Sequence, residues 1–147
     1  MEWYTAAERF TEALAAPEPT PGGGAAAAMA GAMGCALAMM AVGTTLKRKA
    51  TPEEARPRLT QSLKRLTAFK NELKGYIRQD GEAYAAYLTA KKLSKDNPAR
   101  EKAVQDALLF AARVPADAAS AALHCLREVE QIKGDVAEII LSDAACA

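Results

Sequence analysis

The chain has 147 residues, half of them hydrophobic, with 19 basic and 18 acidic side chains. This length suits a single domain that is large enough to bury a core. The near-zero net charge gives no global electrostatic support for binding nucleic acid. Alanine is abundant, aromatic residues make up only 5%, and alternating strand patterns are rare, so we predict an all-α fold.

Cysteine and histidine usage argues against a disulfide framework and against a metal site. Cys35, Cys125 and Cys146 have no CxxC spacing and are odd in number, which indicates a reducing compartment and core roles. His124 is the only histidine, so packing is its favoured role and a zinc site is not expected. The N-terminus has no basic region followed by an apolar one, so we expect a cytoplasmic protein without a secretory signal.

The first predicted element is a short amphipathic helix from Thr5 to Ala16, with Phe10 and Leu14 on one face and Pro17 at its end. A segment rich in proline and glycine follows, Pro19-Thr20-Pro21-Gly22-Gly23-Gly24, here called the glycine loop. Glycine lets a ligand approach the main chain closely, and the first amides of a helix lack partners inside it. The glycine loop is therefore either a ligand site or a tight turn between helices.

The next segment, residues 25–46, carries no charge and is followed by Lys47-Arg48-Lys49. Its length and basic flank are typical of a membrane span. Because alanine and glycine dominate it, we favour a central buried helix, with a membrane-anchored protein as the minor alternative. We assign its four methionines to core filling. The basic residues after it are expected at a solvated helix end or against an anionic ligand tail.

A long helix is predicted to start at Thr51-Pro52, which has the features of a helix N-cap. Apolar residues three and four positions apart mark one face as far as Tyr87, and Asp80 falls within this face. A carboxylate on an inward face is costly unless it is paired. Asp80 is therefore an ion pair with Lys91, Lys92 or a residue of another helix, an exposed group near Gly81, or a functional group that moves protons or binds an amide-rich heterocycle.

The rest of the chain is predicted to form further helical segments. Asp96-Asn97-Pro98 is a turn, and the helix after it is expected to be interrupted at Val114-Pro115. A helix from Ala118 to Ile132 is expected to break at Gly134-Asp135. Ser142-Asp143 has the features of an N-cap close to the last residue, so we expect a domain that lacks its final helix.

Five short motifs, in this order, resemble the cyclodeaminase domain of formiminotransferase-cyclodeaminase and its stand-alone relatives, which include methenyltetrahydrofolate cyclohydrolases. They are the glycine loop with its alanine-rich helix, Asp80-Gly81-Glu82-Ala83-Tyr84, Lys92-Leu93-Ser94-Lys95, Val114-Pro115 and Ser142-Asp143. The chain departs from the family pattern at Ala25, where a serine is common, and at Ser94, where a proline is common. Gly134-Asp135 also replaces a Gly-Asn pair.

The resemblance implies one all-helical bundle over residues 1–147 that self-associates, with a homodimer as the expected form. It implies a folate one-carbon enzyme, either a formiminotetrahydrofolate cyclodeaminase that expels ammonia or a methenyltetrahydrofolate cyclohydrolase that adds water. A tetrahydrofolate derivative is then the substrate, and no cofactor, metal, nucleic acid or membrane is expected. The alternative from another class is a non-catalytic helical binding or assembly module.

The same resemblance nominates the site residues. Asp80 and Lys92 are expected to be catalytic, with Asp80 moving protons or holding the pterin and Lys92 tuning its charge. Lys47, Arg48 or Lys49 is expected to attract the glutamate tail of the folate. The full set of expected substrate-binding residues is Pro21, Gly22, Gly23, Gly24, Lys47 and Asp143.

Overall fold

The computed structural model describes all 147 residues and contains five α-helices, a 3₁₀ turn and no β-strand. The all-α prediction is therefore confirmed. The elements are α1 (Glu2–Ala15), α2 (Gly23–Lys47), α3 (Arg56–Lys91), α4 (Arg100–Ile132), the 3₁₀ turn (Glu138–Ile140) and α5 (Leu141–Ala145).

The helix α2 lies at the centre of the bundle and packs against both α3 and α4. Its inward positions are small, and at Gly31 a Cβ atom would lie only 3.2 Å from Leu73 of α3, so the helices approach closely. This helix is long and apolar enough to cross a membrane, yet 44% of its most apolar 18-residue window is buried inside the bundle. It is the central small-residue helix that the sequence predicts.

The core of the bundle is built from one face of each long helix. Leu59, Leu66 and Leu73 recur every seven residues along α3 and are almost fully buried. Cys125 and Ile132 of α4 join the same cluster. Full burial of each leucine contributes about 1.5–3 kcal/mol, so this seam is the main apolar contribution from α3.

One charged group is buried where α3 packs on α4. The carboxylate of Glu128 accepts hydrogen bonds from the Ser62 hydroxyl and from the Arg65 guanidinium, the latter at 3.1 Å. Only 7% of the Glu128 side chain is exposed. Nearby, the ring of His124 lies 5.8 Å from that of Phe69, but His124 is exposed, so it packs on the surface of the bundle and not in its core.

The start of α3 differs from the prediction, because α3 begins at Arg56 and Thr51 does not cap it. The Thr51 hydroxyl instead donates to the carbonyl oxygen of Thr45 at 2.5 Å. The Arg56 guanidinium donates to the carbonyl oxygens of Leu46 and Arg48 at 3.0 and 3.1 Å. These side chains satisfy the free carbonyls at the end of α2, so Thr51 acts on the preceding helix.

Two predictions for the C-terminal third are wrong and one is confirmed. The helix α4 runs without interruption through Val114-Pro115. Pro115 lacks the N–H that would bond to the preceding turn, but it is exposed while Val114 is buried, so packing on the core holds the helix together. Ser142 lies inside α5 and does not cap it. The predicted break at Gly134-Asp135 is confirmed, since α4 ends at Ile132.

The outer surface of the bundle retains large apolar side chains. The predicted first helix exists as α1, but none of its residues is buried. Core filling is the wrong role for two of the four methionines of α2, because Met33 and Met40 are 61% and 47% exposed. The helix α2 is therefore apolar on its buried inner face and also on its exposed outer face, whereas the sequence predicts a buried helix.

Candidate functional site

The glycine loop leads directly into the first turn of α2. Its Thr20–Pro21 peptide bond is cis, and Gly22 is the N-cap residue in an extended conformation. Gly23 and Gly24 are the first two helical residues, and no side chain of the loop caps the helix. The first amides of α2 are therefore left free by the loop for another side chain, water or a ligand.

Asp80 of α3 supplies one of those partners. Its Oδ2 atom accepts a hydrogen bond from the main-chain N–H of Ala25 at 3.0 Å. A carboxylate at this position interacts favourably with the positive end of the α2 dipole. Neither Lys91 nor Lys92 forms an ion pair with Asp80, so the buried ion pair considered for this residue is not formed.

The glycines of the loop differ in the space around them. A Cβ atom on Gly24 would lie 2.1 Å from Oδ1 of Asp80, and one on Gly22 would lie 3.5 Å from Oδ2. A Cβ atom on Gly23 would meet nothing within 4 Å. No glycine has a positive φ. Glycine at position 24 is therefore required by the close approach of Asp80 and not by backbone conformation.

A cavity of about 350 Å³ opens beside the Asp80 carboxylate. It lies between the glycine loop, the second half of α3 and the first half of α4. Its volume is at the lower end of the range for small-molecule sites. The lining residues are Pro19, Thr20, Gly22, Gly23, Asp80, Ala83, Tyr84, Tyr87, Leu108 and Ala111.

This cleft combines one carboxylate with two aromatic rings and an apolar wall. Because Oδ2 of Asp80 is held by Ala25, the carboxylate has a fixed position, and its Oδ1 atom has no hydrogen-bond partner in the chain. Such a group can accept a proton or bind a donor of a flat heterocycle. Tyr84 and Tyr87 also line the cleft, and aromatic side chains are suited to stacking against a flat heterocycle.

Three other predicted site residues, Lys92, Lys47 and Asp143, do not line this cleft within one chain. Lys92 follows the last residue of α3, about 18 Å along the helix axis from Asp80. Lys47 ends α2, about 36 Å along the axis from the glycine loop. Asp143 belongs to α5, which packs against α2 near Ala41 and so lies towards the Lys47 end. The structure therefore brings the glycine loop to Asp80 and leaves these three residues outside.

The cleft also contains residues that the sequence did not nominate. Tyr84 and Tyr87 lie four and seven positions after Asp80, so helical periodicity placed them on its face without assigning them a role. Leu108 and Ala111 come from α4, and nothing local in the sequence marks them. No three His, Cys, Asp or Glu side chains lie close enough together to hold a metal ion.

Comparisons with known proteins agree on one group of relatives. The family model described as formiminotransferase-cyclodeaminase matches residues 6–147. Methenyltetrahydrofolate cyclohydrolase of Methylorubrum extorquens is 38% identical over 138 residues, a match that covers 90% of this chain and 62% of that protein. The crystal structure of formiminotetrahydrofolate cyclodeaminase from Thermotoga maritima superposes with a TM-score of 0.81 at 30% identity, covering 93% of this chain and 66% of that one. The chain thus spans less than two thirds of the length of the curated relative.

Proposed function

The chain belongs to the formiminotransferase-cyclodeaminase family, and we propose from this that it is a folate enzyme acting on the one-carbon bridge between two nitrogens of tetrahydrofolate. The observation that carries the proposal is the Asp80 carboxylate, held at a cleft by the glycine-rich start of α2. The relative at 38% identity is named a cyclohydrolase, which favours hydrolysis of methenyltetrahydrofolate. The structural relative is named a cyclodeaminase, which keeps deamination of formiminotetrahydrofolate as the second candidate.

The proposed hydrolysis uses Asp80 to move one proton. Water attacks the methenyl carbon while Oδ1 accepts a proton from it, which gives a tetrahedral carbon bonded to both nitrogens. The bond from this carbon to one nitrogen then breaks as the new hydroxyl loses its proton to solvent and becomes the formyl carbonyl, and Asp80 returns its proton to the nitrogen that leaves. The product is formyltetrahydrofolate. In the deaminase alternative the folate nitrogen attacks the formimino carbon, and the proton leaves with ammonia.

The substrate already contains the electrophilic carbon, so we propose that the reaction needs no cofactor besides the folate itself. Holding the folate carbon and the attacking group in the right geometry then contributes most of the rate enhancement. The free thiols Cys35 and Cys125, buried without forming a disulfide, favour the cytoplasm as the compartment. The amides at the start of α2 that are not used by Asp80 are proposed to contact the folate.

We further propose a homodimer in which two α2 helices pair along their exposed faces. The exposed positions Ala27, Ala30, Met33, Ala36 and Met40 lie on both sides of the helix midpoint. An antiparallel two-fold pairing along this face sets the glycine loop of one chain opposite the end of α2 in the other. Lys47 and Asp143 of the partner subunit would then approach the cleft that they do not reach within one chain.

The test follows the absorbance band of methenyltetrahydrofolate. Loss of the band faster than the spontaneous rate identifies a cyclohydrolase, and growth of the band from formiminotetrahydrofolate identifies a cyclodeaminase. Asp80→Asn keeps an oxygen for the Ala25 amide but removes the proton acceptor, so we expect turnover to fall by about 10²–10⁴ with the fold retained.

The matched control is Glu82→Gln, which removes a carboxylate two residues away that pairs with Arg78 on the surface. It is expected to leave turnover unchanged. Near-normal turnover in Asp80→Asn would remove Asp80 from the mechanism. If neither folate changes in the presence of the protein, the non-catalytic binding module becomes the better description.

A further inference from the structure

One face of the second half of α3 carries a carboxylate, two aromatic rings and an ammonium group in a row. Asp80, Tyr84, Tyr87 and Lys91 follow one another at spacings of four, three and four residues, so they share this face of the helix. The first three line the cleft and are half-buried. Lys91 is the last residue of α3 and is exposed. The row therefore leads from the glycine loop, along the cleft, to a cation at its edge.

The ammonium group of Lys91 lies beside the cleft. Its Nζ atom is 5.9 Å from the centroid of the Tyr87 ring, a distance at which an aromatic ring attracts a cation. Because Tyr87 lines the cleft, this contact keeps the positive charge next to it. Lys91 takes part in none of the ion pairs of the chain. Its charge is therefore available to an anionic group of a ligand.

The carboxylate and the ammonium group give the cleft a direction. Asp80 is the only acidic or basic residue that lines the cavity. Tyr87, over which the ammonium group lies, follows Asp80 by seven residues, or about 10 Å along the helix axis. An elongated ligand with an anionic end is repelled at Asp80 and attracted at Lys91, so the two charges favour one orientation of that ligand.

Folate has the shape and charge that this direction selects. A benzoyl ring and an amide separate the reacting nitrogen of folate from its glutamate carboxylates, a span similar to that between Asp80 and the Lys91 ammonium group. We infer that Lys91 binds the glutamate carboxylates, with the benzoyl ring beside Tyr84 and Tyr87, and that it selects folates whose glutamate is charged. This inference rests on the proposed function, because it requires the one-carbon bridge to react at Asp80.

The test compares methenyltetrahydrofolate with its glutamate diamide, which has nearly the same shape without the two negative charges. The formimino compounds serve in the same way if the protein is a cyclodeaminase. For the wild-type protein we expect the KM of the diamide to be about three- to tenfold higher at low salt, with kcat unchanged. Lys91→Met should raise the KM of the folate by the same factor and leave kcat and the KM of the diamide unchanged. Lys91→Arg keeps the charge and should keep the preference.

Lys74→Met is the matched control for the loss of a positive charge. Lys74 is an exposed lysine of the same helix, six residues before Asp80 and on a different face, so its replacement should leave both KM values unchanged. The position of Lys91 in the last turn also complements the helix dipole, but that role affects stability and not the choice between two substrates.

The outcomes separate this inference from the proposed reaction. Equal KM values for folate and diamide in the wild-type protein, an unchanged preference in Lys91→Met, or an equal loss in Lys74→Met would overturn the role of Lys91. In each of these cases the wild-type protein still turns over folate, so the proposed reaction stands. A wild-type protein that turns over neither the methenyl nor the formimino compound would overturn the proposed function and this inference with it.

Discussion

Gly24 lets the carboxylate of Asp80 approach the main chain of α2 more closely than an alanine would permit. The Cβ of an alanine at this position would lie 2.1 Å from Oδ1 and 2.8 Å from Cγ of Asp80. Both separations are shorter than non-bonded atoms tolerate, so the carboxylate would have to move. The hydrogen bond from Ala25 to Oδ2 depends on the carboxylate staying where it is.

Gly24→Ala is therefore expected to destabilise the protein by about 1–3 kcal/mol and to reduce turnover sharply. Gly23→Ala is the matched control, because its Cβ atom would meet nothing within 4 Å. In a helix an alanine is favoured over glycine by about 0.5–1 kcal/mol, so Gly23→Ala is expected to be neutral or stabilising. Urea denaturation of both variants measures the difference. Equal midpoints for the two would contradict the close approach of Asp80.

The sequence predicted both halves of this contact but not the contact itself. The glycine loop was recognisable from its composition, and Asp80 from its place on an apolar face. Lysines of the same helix region were considered as partners for Asp80, whereas the structure gives it the amide of Ala25, 55 residues earlier. A contact over that separation depends on how α2 packs on α3. The periodicity of apolar residues within one helix carries no information about that packing.

Among the helices, the contact between α3 and α4 depends on a polar cluster as well as on leucines. Glu128 is buried and is held by Ser62 and Arg65, while Arg65 itself is 45% exposed. Removing one partner of a buried carboxylate leaves an incompletely paired charge. The exposure of Arg65 reduces this cost, because water replaces part of the lost interaction.

We expect Arg65→Met to lower the free energy of unfolding by about 1–3 kcal/mol. The exposed pair of Lys102 and Asp106, 2.6 Å apart on α4, is the comparison. Lys102→Met should cost less than about 1 kcal/mol, because surface ion pairs contribute little. Thermal unfolding of the two variants tests the ranking. A larger loss in Lys102→Met would show that burial of Glu128 is not what makes its pairing important.

Helix boundaries were less predictable than helix positions, because local signals compete with packing. Thr51 has the sequence of a cap for α3, yet its hydroxyl bonds to Thr45 at the end of α2. Pro115 is a helix breaker by chemistry, yet α4 continues through it. In both places a tertiary contact outweighs a local preference, for capping a helix at Thr51 or for ending one at Pro115, of about 1–3 kcal/mol.

Considered as a whole, the molecule is organised around a helix that is apolar on two sides. The inner side of α2 packs on α3 and α4, and its outer side remains exposed in one chain. A helix that is hydrophobic all round is buried in a larger assembly or in a membrane. The alanine-rich sequence indicated burial, whereas the structure shows that the burial is confined to the side of α2 that faces α3 and α4.

Thiol reactivity measures whether the bundle stays closed as a unit. Cys35 of α2 and Cys125 of α4 are buried in the same core cluster, whereas Cys146 is exposed. The hydrogen bond with Cys125, and burial as the second cause, raise the pKa of the Cys35 thiol far above its ordinary value. A buried and protonated thiol is a poor nucleophile, so Cys35 is protected both by access and by ionisation.

We therefore expect a disulfide reagent to modify one thiol per chain in the native protein at pH 8 and all three in denaturant. Raising the pH to 9 should add no second fast thiol, because the raised pKa keeps Cys35 protonated, and Cys125, whose pKa is lowered by its hydrogen bond with Cys35, is shielded from the reagent by burial. Cys146→Ser should abolish the fast phase and leave unfolding unchanged. Two fast thiols in the native state would mean that α2 and α4 separate readily, and the packing of the central helix would then need revision.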